Sequence, residues 1–403
     1  MNRLIVRGFG PVKDAELELK TLNLLIGEQS IGKSTIAKLI AIFTDNGSLA
    51  LILSSGIKAW KTRLSLFDLD IFGDDSYYIQ YDYSENGIKL HIKIAGNRVY
   101  SSLFVNDEKI TNKKKRAEFL LSKRTSFYKD RFFDNLVDEM NSIKNEDVRY
   151  QVLSLQSLLE SSLYVPAERI AFSIIDNLKS AFSLIGDATT FTYRRFMVSF
   201  DKARNRIKKY ESQILGITYL NEEKGQFFIE PNSKKKYHLY NASSGIQSTI
   251  PLLVILDDIK NRGYLSVVIE EPETNLFPST QVELLCEILQ KARSEGRIVT
   301  ITTHSPYILS AFNNYLYAGY VAKSIEKESE SQLESIIPSS LWLNSDDCAV
   351  YSIGETINES RKYCISIIDK ETGMIDSNTL DRISFSMSNE FEELEDIFIK
   401  NSR

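Results

Sequence analysis

Gly27-Glu28-Gln29-Ser30-Ile31-Gly32-Lys33-Ser34-Thr35 has the spacing G-x-x-x-x-G-K-[ST], and the reading of the whole chain turns on this stretch. Before it, Leu22-Asn23-Leu24-Leu25-Ile26 is an apolar run of strand length; after it, residues 35–43 repeat apolar side chains at helical spacing. Strand, glycine-rich loop and helix in that order are the context in which such a loop holds nucleotide phosphates. The glycines let main-chain N–H groups close around anionic oxygens, and the helix N-terminus adds partial positive charge. Lys33 adds a full charge, and the Ser34 hydroxyl suits a magnesium ion. An ordinary Gly/Ser turn is the alternative, and both flanks argue against it. Nucleoside triphosphate binding by residues 27–35 is the expectation.

The rest of the composition fits a globular protein. The chain has 403 residues, a hydrophobic share of 43% and a formal net charge of −5, which suits one large domain or two intimately joined ones. Cys286, Cys348 and Cys364 are odd in number and show no paired spacing, which argues against a disulfide framework or a zinc site and for a reducing compartment. The start Met1-Asn2-Arg3-Leu4-Ile5-Val6-Arg7 is too charged for a signal peptide. The longest apolar stretch, residues 36–57, is broken by Lys38 and by Asp45-Asn46-Gly47. A cytoplasmic protein without a membrane partner is expected.

Three further stretches carry chemistry. Leu265-Ser266-Val267-Val268-Ile269 reads as a buried strand running straight into Glu270-Glu271-Pro272-Glu273. In open α/β sheets ligands gather at the carboxyl ends of strands, so these acids should lie beside the phosphates, one suited to magnesium and its neighbour to the attacking water. Taken alone, the run is a solvated strand end opening a turn at Pro272. Asn241-Ala242-Ser243-Ser244-Gly245-Ile246-Gln247-Ser248 opens an apolar helical pattern over residues 250–259, either as a second anion site or as a serine N-cap. Ile298-Val299-Thr300-Ile301-Thr302-Thr303 is a strand that ends at His304, one of three histidines in the chain.

In this order and spacing the four stretches resemble the ATP-binding-cassette (ABC) ATPase superfamily, in its SMC, Rad50, RecF and OLD-like branch. Residues 27–35 match the Walker A loop, Ser243-Ser244-Gly245-Ile246-Gln247 stand where the LSGGQ signature would, Glu270-Glu271 match Walker B with the catalytic glutamate, and His304 matches the switch histidine. Ser243 replaces leucine, Ile246 the second signature glycine, and Glu270 the usual aspartate. The resemblance implies an α/β P-loop NTPase: an ABC ATPase head with a mixed β-sheet lobe and a helical insertion ending in a short coiled-coil stub. It also implies ATP and Mg2+ as cofactors and a homodimer, possible higher-order assembly included. Gly27, Glu28, Gln29, Ser30, Ile31, Gly32, Lys33, Ser34 and Thr35 would cradle the phosphates, with Ser34 and Glu270 on the metal. Glu271, His304 and Lys33 would be catalytic. Ser243, Ser244, Gly245 and Gln247 would cap the nucleotide of a second subunit, and Thr274-Asn275-Leu276 would form the D-loop between subunits. Tyr164-Val165-Pro166-Ala167-Glu168-Arg169 is the candidate for the Q-loop position, without a glutamine.

Residues 1–75 and 241–318 are expected to be the two parts of the ATPase domain, 76–240 an insertion and 319–403 a C-terminal α/β extension. Within the insertion, alternation around Glu85-Asn86-Gly87 and Ala95-Gly96-Asn97 predicts β-hairpins over 77–110. Residues 115–160 and 170–215 read as helical, and 217–240 as a β-meander. Basic clusters at Lys113-Lys114-Lys115-Arg116 with Lys123, Arg124, Lys129 and Arg131, at Arg194-Arg195 with Arg204 and Arg206, and at Lys234-Lys235-Lys236 suggest a nucleic-acid surface, a dock for an acidic partner, or solvated helix faces. Arg3, Arg7 and Phe9 are candidates for base-side contacts. No second active site is read in the C-terminal part, where Asp346, Asp347 and Asp369 suit a solvated loop. Compact ATPases of this kind resemble the ATPase subunits of bacterial anti-phage systems such as Septu, retrons and PARIS. That resemblance implies a sensor and scaffold controlling a separately encoded nuclease or toxin. A RecF- or SMC-like DNA-repair ATPase that binds DNA is the alternative.

Overall fold

The computed structural model describes residues 2–73, 76–122, 161–174, 190–293, 297–354, 363–369, 371–375, 386–395 and 397. Leu4, Val6 and Phe9 turn inward from β1 (Asn2–Phe9), as Val12, Ala15 and Leu17 do from β2 (Val12–Glu18), so this hairpin shows one face to the core and a charged face outward. It joins β4 (Tyr78–Glu85), β5 (Ile88–Ala95), β6 (Arg98–Val105) and β7 (Glu108–Lys109) in a six-stranded antiparallel sheet of order β2-β1-β4-β5-β6-β7. Strands on both sides of residue 75 thus share one sheet. The expected hairpins form where Asn86-Gly87 supplies two positive φ angles, 49° and 75°, as a tight two-residue turn requires. Ile88, Leu90, Ile92 and Ile94 of β5 alternate inward. Beneath them, Phe43 stacks between Trp60 and Tyr81, with ring centroids 5.7 and 5.1 Å away. Helices α1 (Lys33–Phe43), α2 (Asn46–Ser55) and α3 (Ile57–Leu66) fill this layer, and α4 (Lys113–Ser122) packs on α2.

All six residues of β3 (Leu22–Gly27) are buried, which requires an inner strand covered on both faces. It runs parallel to β14 (Ile298–Thr303) on one side and to β15 (Cys348–Ile353) on the other. β13 (Ser266–Glu270) and β8 (Ser162–Val165) continue the parallel set beyond β14, and β16 (Cys364–Ser366) closes the far edge antiparallel, giving β16-β15-β3-β14-β13-β8. The C-terminal stretch therefore supplies strands to the same sheet as the glycine-rich loop. Parallel strands put their carboxyl ends on one edge. The register Ile26↔Thr303 and Thr302↔Glu270 lays the ends of β3, β14 and β13 side by side.

A third sheet, β9 (Lys209–Ser212), β10 (Ile217–Glu222), β11 (Gly225–Ile229) and β12 (Lys236–His238), is the expected meander. Its first strand lies inside the stretch read as helical. Tyr210 and Ser212 are buried while Lys209 and Glu211 are exposed, a period of two that the basic helical pattern before it masked. The described helices of that stretch are the short Ala171–Ile174 and α5 (Phe191–Arg206). The meander leads into α6 (Ser244–Asp258), followed by α7 (Pro278–Ala292) and α8 (Pro306–Ser324) around the parallel sheet. Most of the expected 115–160 helical stretch, with Lys123, Arg124, Lys129 and Arg131, lies outside the described residues. Among the described residues no single helix is long and apolar enough to cross a membrane; the apolar pair α1 and α2 is bent by 78°.

Candidate nucleotide site

The loop after β3 has the backbone of a phosphate cradle. Gly27 has φ 144°, Ser30 φ 61° and Gly32, at the N-cap of α1, φ 94°, and no side chain caps the first turn, which leaves its N–H groups for an anion. A Cβ on Gly27 would lie 2.4 Å from the Ile353 carbonyl oxygen of β15, so glycine is required there by sterics as well as by φ. Glu28, Gln29, Ser30 and Ser34 are exposed, Ile31 is half-buried, and Gly32, Lys33 and Thr35 are buried. The Lys33 ammonium donates to the carbonyls of Gly27 at 2.8 Å and Glu28 at 2.5 Å, and lies 3.4 Å from His304 Nδ1. Burial brings its pKa down to about 8, against the opposing pull of Glu271, Glu273, Glu270 and Glu28. Tyr363, just before β16, donates to the carbonyls of Pro11 and Ile31 and so ties the loop to the C-terminal strands.

Across the sheet edge, Glu270 is 5% exposed and its Oε1 has no hydrogen-bond partner. Burial pushes its pKa up, while the hydroxyls of Tyr164 and Ser34 and the charge of Lys38 pull it down. An orphaned buried carboxylate oxygen beside the Ser34 hydroxyl is an all-oxygen donor set of the kind a hard divalent cation takes, so Ser34 and Glu270 fit magnesium. Glu271 is half-buried. Its Oε1 lies 2.9 Å from His304 Nε2, and that bond holds its carboxyl below the usual range despite burial. Lys33, His304 and Glu271 therefore form one polar chain across β3, β14 and β13.

Two residues of this edge escaped the sequence reading. Glu273 accepts from Thr303 Oγ1 at 2.7 Å and from the His304 amide at 2.8 Å, and so fixes the histidine at the end of β14. Its signal was the third acid in Glu270-Glu271-Pro272-Glu273. Arg169, in the segment considered for the Q-loop position, is fully buried and donates to the Glu270 carbonyl at 2.7 Å.

At the start of α6, Ser243 and Ser244 are exposed and Ser243 makes no side-chain cap bond. Gly245 is buried against the turn after β13, where a Cβ would lie 2.7 Å from the Asn275 carbonyl oxygen. Gln247 is 8% exposed, and its amide donates to the carbonyls of Tyr240 at 2.9 Å and Ala242 at 2.8 Å. Its side-chain amide thereby braces the loop ahead of α6.

Other candidates fare differently. Phe9 is wholly buried against Phe72 and Tyr77, Arg3 pairs with Glu16 and Arg7 with Asp14, so these three are not a free base-reading set. Arg116, Arg195 and Arg204 are buried, and Arg206 pairs with Asp258. Lys113, Lys114, Lys115, Lys234, Lys235 and Lys236 stay exposed. Among the described residues no three His, Cys, Asp or Glu side chains form a metal-holding group, and Asp369 accepts from the Thr372 and Glu371 amides within its own turn.

A parallel sheet with a glycine-rich phosphate loop after one strand and paired acids after another, flanked by an antiparallel lobe, defines an α/β P-loop ATPase of the ABC type. The chain belongs to the AAA ATPase domain family, whose model matches residues 1–176 and 167–309, and is an ATP-binding protein of that family. No curated protein matches it in sequence. Among solved structures it is similar to an SMC head bound to the C-winged helix domain of ScpA, with 11% identity over 90% of this chain and 96% of that chain and a TM-score of 0.42. The SMC head domain from Thermotoga maritima is 12% identical over 77% of this chain and 90% of that one, with a TM-score of 0.35. An SMC head domain with an extended coiled coil, bound to the C-terminal domain of ScpA derived from Pyrococcus furiosus, is 13% identical over 77% and 92%, with a TM-score of 0.36.

Proposed function

We propose that this ATPase hydrolyses ATP within an ATP-dependent homodimer and uses that cycle to license a separately encoded effector, a nuclease or toxin, in cytoplasmic anti-phage defence. The observation that carries the catalytic part is the ionised Glu271 carboxylate held 2.9 Å from His304 Nε2, whose other ring nitrogen lies 3.4 Å from Lys33. Lys33 and the amides of residues 27–35 hold the β- and γ-phosphates. Ser34 and Glu270 would hold magnesium, which would draw charge from the phosphate oxygens. Glu271 accepts a proton from water as its oxygen bonds to the γ-phosphorus and the bond to the β,γ-bridging oxygen breaks. His304 orients Glu271 on one side and the γ-phosphate on the other.

Ser243, Ser244 and Gly245 act on the nucleotide of a second copy. The exposure of Ser243 and Ser244 supports this, as does Phe277, 75% exposed directly after Thr274-Asn275-Leu276. An apolar ring in that place suits a face that a second copy covers. DNA binding is the lesser reading, since three of the arginines expected to meet phosphates are buried. The catalytic reading is tested by phosphate release and mass of wild type and Glu271→Gln with ATP and magnesium. The effector reading is tested by recovering the ATP-bound protein from its host during infection; a chain recovered with no nuclease or toxin contradicts it.

A further inference from the structure

Arg169 is a fully buried guanidinium whose fork reaches five main-chain carbonyls. Nη1 donates to Pro166 and Glu270, both at 2.7 Å, and Nη2 to Glu271 at 3.0 Å and Pro272 at 3.5 Å. On the other side Nε donates to Ser248 at 3.3 Å, in the first turns of α6 just after the loop of Ser243, Ser244 and Gly245. Its hydrogen-bond partners are all main-chain dipoles, and burial lowers its pKa to about 10 against the opposing pull of Glu273, Glu270, Glu168 and Glu271.

The segment it grips is strained. Glu271 has φ 41°, in the left-handed region that a residue with a Cβ rarely adopts, and such a conformation persists only where its surroundings over-determine it. Here the Glu271 N–H donates to the Thr302 carbonyl at 3.0 Å, and its own carbonyl accepts from Arg169, from Thr274 Oγ1 at 2.8 Å and from the Thr274 amide at 3.2 Å. Ser248 Oγ donates in turn to the Thr274 carbonyl at 3.1 Å. The turn that aims Glu271 and the helix behind the Ser243–Gly245 loop are thus bolted together inside one chain. Glu271 serves this chain's own nucleotide, while that loop serves the nucleotide of the second copy.

We propose that Arg169 is a positioning residue that holds Glu271 in its strained, productive backbone and transmits to it the seating of this chain's own Ser243–Gly245 loop on the second copy's nucleotide. This rests on the dimeric ATPase reading above. Each site then fires only when the opposite site is filled and capped, because the cap and the lytic carboxylate move as one piece. A lysine at 169 keeps the charge but lacks the planar fork needed to hold α6 and the Glu271 turn together.

The test compares wild type with Arg169→Lys, measuring ATP affinity, dimer fraction with ATP, and phosphate release per chain over a range of protein concentration. In wild type, release per chain rises with the dimer fraction. In Arg169→Lys, ATP affinity stays within about threefold and the dimer still forms, but release stays at least tenfold lower at every concentration. A dimeric Arg169→Lys that turns over like wild type overturns the proposal. Loss of ATP binding or of the dimer also overturns it, since Arg169 is then a structural bolt alone. Should Arg169→Lys fail to fold, Thr274→Val decides by removing the other side-chain bond to the Glu271 carbonyl: reduced release with retained affinity is expected, and full release overturns the proposal. A Glu271→Gln variant that still hydrolyses ATP would instead remove the catalytic reading on which the proposal rests.

Discussion

ATP affinity should fall as pH rises from 7 to 9, and Lys33 sets the size of the effect. Its pKa of about 8, against an ordinary lysine value of 10.5, arises because burial outweighs the four surrounding glutamates. A triphosphate placed against the ammonium favours the charged form, so ATP binds the protonated lysine and must recruit a proton wherever the free protein has lost it. With a pKa of about 8, roughly ten-elevenths of the free protein is protonated at pH 7 and roughly one-eleventh at pH 9, so affinity drops about tenfold, or ~1.4 kcal/mol. The stability of the nucleotide-free protein runs the other way. The folded-state value lies below the unfolded one, so the unfolded chain binds more protons between pH 8 and 10.5 and the contribution of Lys33 to stability rises with pH across that window. Calorimetry of ATP binding in two buffers of different ionisation enthalpy should find uptake of about half a proton at pH 8. Lys33→Arg should abolish the slope at some loss of affinity, because its guanidinium stays charged. Flat affinity between pH 7 and 9, or proton release on binding, would refute the reasoning.

Two substitutions probe the neighbouring elements. Glu270→Gln should stabilise the nucleotide-free protein by about 1 kcal/mol, read as a raised Tm, because it removes a charge that burial penalises and that leaves one oxygen without a partner. The folded-state pKa of Glu270 is raised, so the penalty it imposes grows as pH rises through that value and the gain should shrink in acid. The same variant should lose the magnesium dependence of ATP binding. Gly245→Ala puts a Cβ 2.7 Å from a main-chain oxygen and should cost about 1–3 kcal/mol of packing between α6 and the turn at Asn275. Its ATP affinity should survive while its ATP-dependent dimer fails, as read by fluorescence anisotropy and mass.

The site was legible where chemistry forces local sequence. Gly27, Gly32 and Lys33 announce a phosphate loop because few other residues can occupy those backbone positions, and Glu270-Glu271 announce themselves by following the four buried strand residues 266–269. Arg169 and Glu273 stand within stretches the sequence singles out, but their roles were not legible, since what makes them matter is a set of main-chain carbonyls and amides brought in from β13, β14 and α6. Gln247 carries the signature letter, and what its sequence position does not show is that its amide braces its own loop. For the fold, period-two and helical patterns marked most elements. The register that carries β15 from far along the chain to the flank of β3 has no local signature, and β9 hid behind a basic helical run.

The most direct measurement of the central claim is the solution mass of wild type and Glu271→Gln with and without ATP and magnesium, with phosphate release followed in parallel. Loss of a general base costs on the order of a hundredfold or more in turnover. Glu271→Gln should therefore bind ATP, accumulate as a dimer that wild type forms only in passing, and release almost no phosphate. A variant that stays monomeric with ATP, or that hydrolyses at the wild-type rate, would contradict the account.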